Sequence, residues 1–208
     1  MQDINSIFYI IVLIMSVVVH EVAHGYAALY FGDKTAEYAG RLTFNPIKHL
    51  DLFGSVILPF ILITTGSSFL VGWAKPVPYN PQNLRDKKWG TVFVASAGIL
   101  ANIGIAVFFG LVIRISVITG IFSGAFISLA SAVVVLNIVL ALFNLMPIPP
   151  LDGSKIIFTL LPYRFSFIER FFEKYSLLLL LIFVFFGWGF VAGVIPSVYT
   201  FITGIPLQ

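Results

Sequence analysis

Apolar residues run in long blocks along this chain, and the polar residues gather between them. Four blocks are long enough for membrane helices, which need roughly 20 mostly apolar residues: about 4–31, 91–116, 121–146 and 176–204. The last is interrupted by Gly187, Gly189, Gly193 and Pro196, so its end is left open. A fifth block, about 52–72, holds Pro59, Gly66 and the polar run Thr64 to Ser68 and reads poorly as one straight helix. Residues 36–45 alternate Tyr38, Gly40, Leu42 and Phe44 against Ala39, Arg41 and Thr43. That is the period of a short strand, with an interfacial loop as the other reading.

Composition agrees with the pattern. Hydrophobic residues make up 59% of the 208 and charged ones 10%, against about 25% charged in a soluble domain. So few charges cannot cover a core of this size in water. The fold class is an all-α polytopic membrane protein with about five to six membrane segments, one of them re-entrant or broken, and a short β-strand or hairpin near 36–45. One domain is expected over 1–208, with a core of about 4–160 and a C-terminal helix of about 176–204. The net charge is only +3 and the basic residues are dispersed, which argues against a nucleic-acid partner. Without cysteine there is no thiol nucleophile and no Cys-bound zinc, so any metal must be held by His, Asp or Glu. The N-terminus lacks the basic stretch of a signal peptide, and no internal repeat of the transporter kind is visible.

Charge sorting chooses between topologies. Lys75, Arg85, Lys87 and Lys88 lie between the fifth block and the next helix. If 52–72 crosses the membrane, they land outside. If it dips in and returns, eleven of the twelve basic residues share the cytoplasmic side and only Arg114 does not, as the positive-inside rule requires. The expected path is a helix from about 52 to 64, a turn at Thr64–Ser68 and an extended return beside a wet cavity.

The chemistry sits in the first helix. His20-Glu21-Val22-Ala23-His24 places two imidazoles at i and i+4, on one helical face, where both reach one metal ion. Glu21 follows the first and is free to take a proton from a metal-activated water. Three such residues in an apolar helix are expensive unless they work together, so they read as functional. A catalytic zinc keeps three protein ligands and an open position. His49 is a candidate third ligand, but beside Lys48 and Asp51 it reads better as a solvated interfacial residue. Asp152 is the stronger candidate. Pro147, Pro149 and Pro150 break the preceding helix, Gly153 gives the turn freedom, and the re-entrant topology brings Asp152 to the side of His20 and His24. Asn144, eight residues earlier, can donate its amide to an oxyanion. Asn102 lies among small residues and reads either as an interhelical hydrogen bond or as part of the site. Asn137 reads as a packing residue.

These motifs resemble those of the site-2 proteases, zinc metalloproteases that cut within or near the membrane. The resemblance is carried by His20–His24, by Gly40-Arg41-Leu42-Thr43-Phe44-Asn45-Pro46, by Gly72-Trp73-Ala74-Lys75-Pro76-Val77-Pro78, by Ala97–Asn102 and by Asn144–Gly153. It spans about residues 10–160 and is similar to the compact prokaryotic branch without PDZ or CBS domains. It implies one zinc ion on His20, His24 and Asp152, Glu21 as base, and Asn144 assisting the transition state or holding substrate. It also suggests a substrate-binding strand edge bearing Gly40, Leu42 and Phe44, since edge pairing holds an extended peptide; where Asn102 belongs to the site, its expected role is substrate contact. Implied partners are the lipid bilayer and a membrane-protein or signal-peptide-remnant substrate. The implied place is a prokaryotic cell membrane, with the site toward the cytoplasm. Ile99 stands where the family usually has Pro, and Ser154 where a second Gly is common. The alternative function is a zinc-binding membrane transporter or sensor without hydrolysis.

Overall fold

The computed structural model describes residues 2–57, 60–61, 64–65 and 74–207; the side chains of 2–6 and 56 are not among those described. The described residues are overwhelmingly helical. Helix α1 covers Gln2–Tyr30 and a single turn, α2, covers Thr35–Tyr38. Helix α3 covers Lys87–Thr119, α4 Gly124–Asn144, α5 Asp152–Leu160 and α6 Ser166–Lys174. The C-terminal block changes pitch before Gly187 and is interrupted at Gly193, while Gly189 lies within helix. Helix α7 (Ser176–Ile182) widens into a π-helical stretch at Phe183–Gly187, followed by α8 (Trp188–Ala192) and α9 (Ile195–Thr203). Among the described residues, four stretches are long and apolar enough to cross a membrane: Ile7–Tyr30, Lys87–Thr119, Gly124–Asn144 and Ser176–Thr203.

Helix α3 is the centre of the bundle, packed against α1, α4, α5 and α9. Its starts and stops are local chemistry. Asp86 caps the first turn by accepting from Trp89 N, and Gly120 closes the last turn in the left-handed conformation (φ 68°). Ser123 then caps α4, and the tight 120–123 connection makes α3 and α4 antiparallel. Ile99, in the place of the family's proline, lies buried within an unbroken α3. The apolar core between α3, α4 and α9 is built from Ala106, Ile113, Ala130, Val134, Ile138, Ile195 and Tyr199. Gly110 lets Ile202 of α9 come into contact with the α3 backbone.

Residues 36–45 do not form the expected strand. Asp33 accepts from Thr35 N at 3.1 Å and also takes the Thr35 hydroxyl, which starts a helical turn at Thr35 instead of an extended run. Gly40 (φ 62°) ends that turn. Residues 41–45 are then irregular, with no ladder partner among the described residues. The alternation does not sort faces either, since Arg41 is buried while Tyr38 and Gly40 are exposed. Leu42 packs onto Gly25 of α1, while Phe44 stays exposed. The chain runs back along α1 so that Pro46, Ile47 and Leu50 face Ile11, Ile14 and Met15 across an apolar cavity.

Much of the 52–72 expectation, including Gly66–Ser68 of the turn, lies outside the described residues. Its flanks are described. Leu50 pairs antiparallel with Ala74, and Lys75 N donates to His49 O at 2.9 Å. The described residues on either side of this stretch thus meet.

Candidate metal centre

His20 and His24 lie on the face of α1 that meets α3, and both are buried. The facing stripe of α3 is Val94, Gly98 and Asn102, at i, i+4 and i+8. The two ends of this stripe hold the imidazoles. His24 Nδ1 donates to Val94 O at 2.6 Å, and His20 Nδ1 pairs with Asn102 Oδ1 at 2.8 Å. The middle of the stripe must be bare, because a Cβ on Gly98 would stand 2.5 Å from His24 Nε2 and 2.6 Å from His20 Nε2.

Asp152 completes the group. Its Oδ2 lies 3.1 Å from His20 Nε2 and 3.0 Å from His24 Nε2, and the two Nε2 atoms are 3.0 Å apart. The donor set fits a cation. The Val94 carbonyl can only accept, so the neutral His24 ring carries its hydrogen on Nδ1 and turns a lone pair toward the Asp152 carboxylate. Two acceptors that close in an apolar bundle are unfavourable unless a positive charge lies between them. One ligand atom from each of His20, His24 and Asp152 lies within 4.8 Å of the others, and these three residues can hold the metal. His49 is elsewhere. It is 1% exposed rather than solvated, and its Nε2 donates to Thr43 O at 2.8 Å.

The proline-rich break delivers Asp152 as the first residue of α5. Gly153 serves a different purpose from the one read in the sequence. Its φ is not left-handed; rather, a Cβ there would collide with the Leu145 and Met146 carbonyls at the end of α4. That close approach fixes α5 against α4. Ser154 turns its hydroxyl back to Leu151 O at 2.6 Å, so its side chain is absorbed within the turn. The other Asp152 oxygen, Oδ1, accepts from Lys155 Nζ at 3.0 Å, and the ammonium also lies 5.8 Å from the Tyr79 ring centroid. Burial disfavours the Lys155 charge, but the Asp152 carboxylate outweighs it and holds the pKa above the ordinary lysine value. Lys155 was not singled out in the sequence. Its signal was the i, i+3 spacing from Asp152.

Glu21 is held from the other side. Its Oε2 accepts from Val77 N at 2.7 Å. Val77 packs on Gly25 beside Leu42, and Arg41 Nη2 ties the same segment down by donating to Lys75 O at 2.6 Å. Further along, Asp33 accepts from Asn80 N at 2.6 Å and Asn83 Nδ2 at 2.9 Å. Burial works against the Asp33 charge, but the bonds from Thr35, Asn80 and Asn83 prevail and hold its carboxyl below the ordinary aspartate value. The loop that grips Glu21 is thus anchored to the end of α1.

Of the remaining expected residues, Asn144 is the last residue of α4, half-buried, with Nδ2 donating to Leu140 O at 3.0 Å. Asn102 is fully buried behind His20, bonded to that ring and to Asn137, and offers no surface to a substrate. Gly40 and Phe44 are exposed and Leu42 is half-buried.

Two imidazoles and a carboxylate, buried in a bundle of membrane-length helices beside a tethered glutamate, make up the candidate centre of a membrane-embedded metalloprotein. The comparisons agree. The chain matches peptidase family M50 over residues 8–125 and 112–187. It is 41% identical over 160 residues to "Putative zinc metalloprotease YwhC" of Bacillus subtilis (strain 168), covering 74% of this chain and 69% of that one. It is 30% identical over 143 residues to "Putative zinc metalloprotease Rip2" of Mycolicibacterium smegmatis (strain ATCC 700084 / mc(2)155), covering 67% of this chain and 52% of that one. No solved structure matches it. The chain belongs to peptidase family M50, the site-2 proteases, and is an integral membrane zinc metalloendopeptidase.

Proposed function

We propose that His20, His24 and Asp152 hold the zinc ion and that Glu21 is the general base in cleavage of transmembrane segments or membrane-retained remnants. The observation that carries this reading is the convergence of three buried ligand atoms within 4.8 Å inside an apolar bundle, where unpaired ionisable groups are costly. When bound, zinc supplies Lewis-acid polarisation of the scissile carbonyl and lowers the pKa of water.

The protein's own groups do the rest. Glu21, held by Val77 N, takes a proton from the attacking water and gives it to the leaving amine. Asn144 offers its free amide hydrogen to the developing oxyanion. Lys155 keeps Asp152 Oδ1 occupied, so that Oδ2 alone faces the imidazoles. The segments around Phe44 and Ala74–Val77 receive an unwound peptide. Water and substrate ends reach the site from the cytoplasmic side, since α1 ends, α3 begins and α4 ends at the same end of the bundle, where Lys34, Lys87 and Lys88 lie.

The test is Glu21→Gln, purified in detergent beside the wild type. The expected result is unchanged zinc content with peptide cleavage down about 10²–10⁴-fold, the range for loss of a general base. Full cleavage by Glu21→Gln refutes the assignment. Zinc transport into liposomes by a wild type that cleaves nothing establishes the transporter reading instead.

A further inference from the structure

Three buried polar side chains stand behind His20 and take no part in the chemistry above: Ser16 on α1, Asn102 on α3 and Asn137 on α4. They form one line of hydrogen bonds. Asn137 Nδ2 donates to Val133 O and to Ser16 Oγ, both at 2.9 Å. Asn102 Nδ2 donates to Asn137 Oδ1 at 3.1 Å, and Asn102 Oδ1 lies 2.8 Å from His20 Nδ1.

The direction of this line is forced from its far end. Val133 O is a carbonyl and has no hydrogen to give, so the edge of Asn137 that faces it is the NH₂ edge. The opposite edge of Asn137 is then its oxygen, which can only accept. Asn102 must therefore present its own NH₂ to Asn137 and its oxygen to His20. That oxygen accepts, so the hydrogen of the neutral His20 ring sits on Nδ1 and the lone pair on Nε2, the atom that faces Asp152 and His24. Reversing Asn102 alone would set two oxygens about 3 Å apart at a fully buried site and leave both unsatisfied.

We propose that Asn137 and Asn102 are positioning residues that fix the tautomer of His20, so that its Nε2 is ready for the metal before any metal arrives. Building on the zinc-centre reading, this assigns to Asn137 more than helix packing: the polarity of its amide, set by its own helix backbone, selects which nitrogen of a ligand on another helix is free. His24 needs no such relay, because a backbone carbonyl, Val94 O, meets its Nδ1 directly.

The test uses the small histidine count, three in the chain. In metal-free, ¹⁵N-histidine-labelled protein in detergent micelles, His20 is identified by the signals lost in His20→Gln. The expected wild-type spectrum has His20 as the Nδ1–H tautomer with no metal present. Asn137→Leu removes the fixed end of the line and leaves Asn102 free to turn over. Its expected result is a His20 population with hydrogen on Nε2 and zinc affinity, read by chelator competition, reduced about 10–100-fold, the range for outer-shell partners.

The double variant, Asn102→Asp combined with Asn137→Leu, supplies a side chain that in its ionised form can only accept, whichever way it turns. It is expected to restore the Nδ1–H tautomer and to recover most of the roughly 10–100-fold loss. Packing lost on replacing Asn137 would not be repaired by that change, so rescue separates orientation from structure. The proposal is overturned if metal-free wild type carries the His20 hydrogen on Nε2, if folded Asn137→Leu binds zinc like wild type, or if the folded double variant binds no better than the single. Should Asn137→Leu fail to fold, the wild-type spectrum decides alone. The tautomer is read without cleavage, so it stands or falls separately from the protease mechanism.

Discussion

Gly98→Ala asks for the smallest possible change at the tightest point of the molecule. The added carbon would stand 2.5 Å from His24 Nε2, 2.6 Å from His20 Nε2 and 2.6 Å from His20 Cε1, where comfortable contact is about 3.5 Å or more. About 1 Å of overlap must be relieved. The rings cannot retreat freely, because each is tied from behind to the same α3 stripe, at 2.6 Å to Val94 O and 2.8 Å to Asn102 Oδ1. Backing α3 away by about 1 Å would stretch both bonds past the range in which hydrogen bonds hold. Overpacking of this kind costs about 1–3 kcal/mol. Displaced ligands should weaken zinc binding about 10–100-fold, as loss of outer-shell support does, which is about 1.4–2.8 kcal/mol. The assay is chelator competition on purified protein, with zinc content and peptide cleavage measured on the same samples. Gly104→Ala is the matched control, since a Cβ there meets nothing within 4 Å and the substitution is helix-favouring. Wild-type zinc affinity in Gly98→Ala would refute the close approach of α3 to the metal ligands.

Other consequences are as direct. Wild-type protein should carry about one zinc per chain; Asp152→Ala should lose most of it and His49→Ala should keep it, as metal analysis after gel filtration will show. Lys155→Met frees Asp152 Oδ1 and should weaken zinc about tenfold, the low end for outer-shell partners because the ammonium is partly exposed; an unchanged affinity would remove Lys155 from the site. Asp33→Asn should lower stability at pH 7 by about 1–3 kcal/mol through loss of a buried charged acceptor, visible as a lower thermal midpoint. Since the Asp33 carboxyl lies below its ordinary value in the folded state, its contribution is present above about pH 4 and fades as pH falls through the lower native value. The wild-type and Asp33→Asn midpoints should accordingly converge in acid and not at neutral pH.

What the sequence determined by itself rests on rules that need no partner. Apolar blocks of membrane length must become helices, because lipid offers nothing to unpaired backbone groups. The spacing of His20 and His24 puts both rings on one face in any α-helix, and Pro147, Pro149 and Pro150 end a helix in any context. Those facts alone placed α1, α3 and α4 and marked Asp152 as a residue held at a break. The strand near 36–45 failed because alternation is only half of a strand. A partner edge is the other half, and Asp33 offered Thr35 a helical start instead.

The tertiary structure decided whatever depends on a neighbour far along the chain. Gly98 and Gly153 look like ordinary small residues until α1 and the end of α4 are seen pressed against them. Asn102 reads as a substrate contact or a packing residue until its oxygen is seen turned to His20. The i, i+3 spacing puts Lys155 within reach of Asp152, but only the structure shows its ammonium on Oδ1. Leu50 and Ala74 lie 24 positions apart, and only the tertiary structure shows that they pair. Periodicity reports which face of an element is buried, but which groups meet across that face is fixed by helix packing. In a chain with so few charges, those meetings decide where the metal can sit.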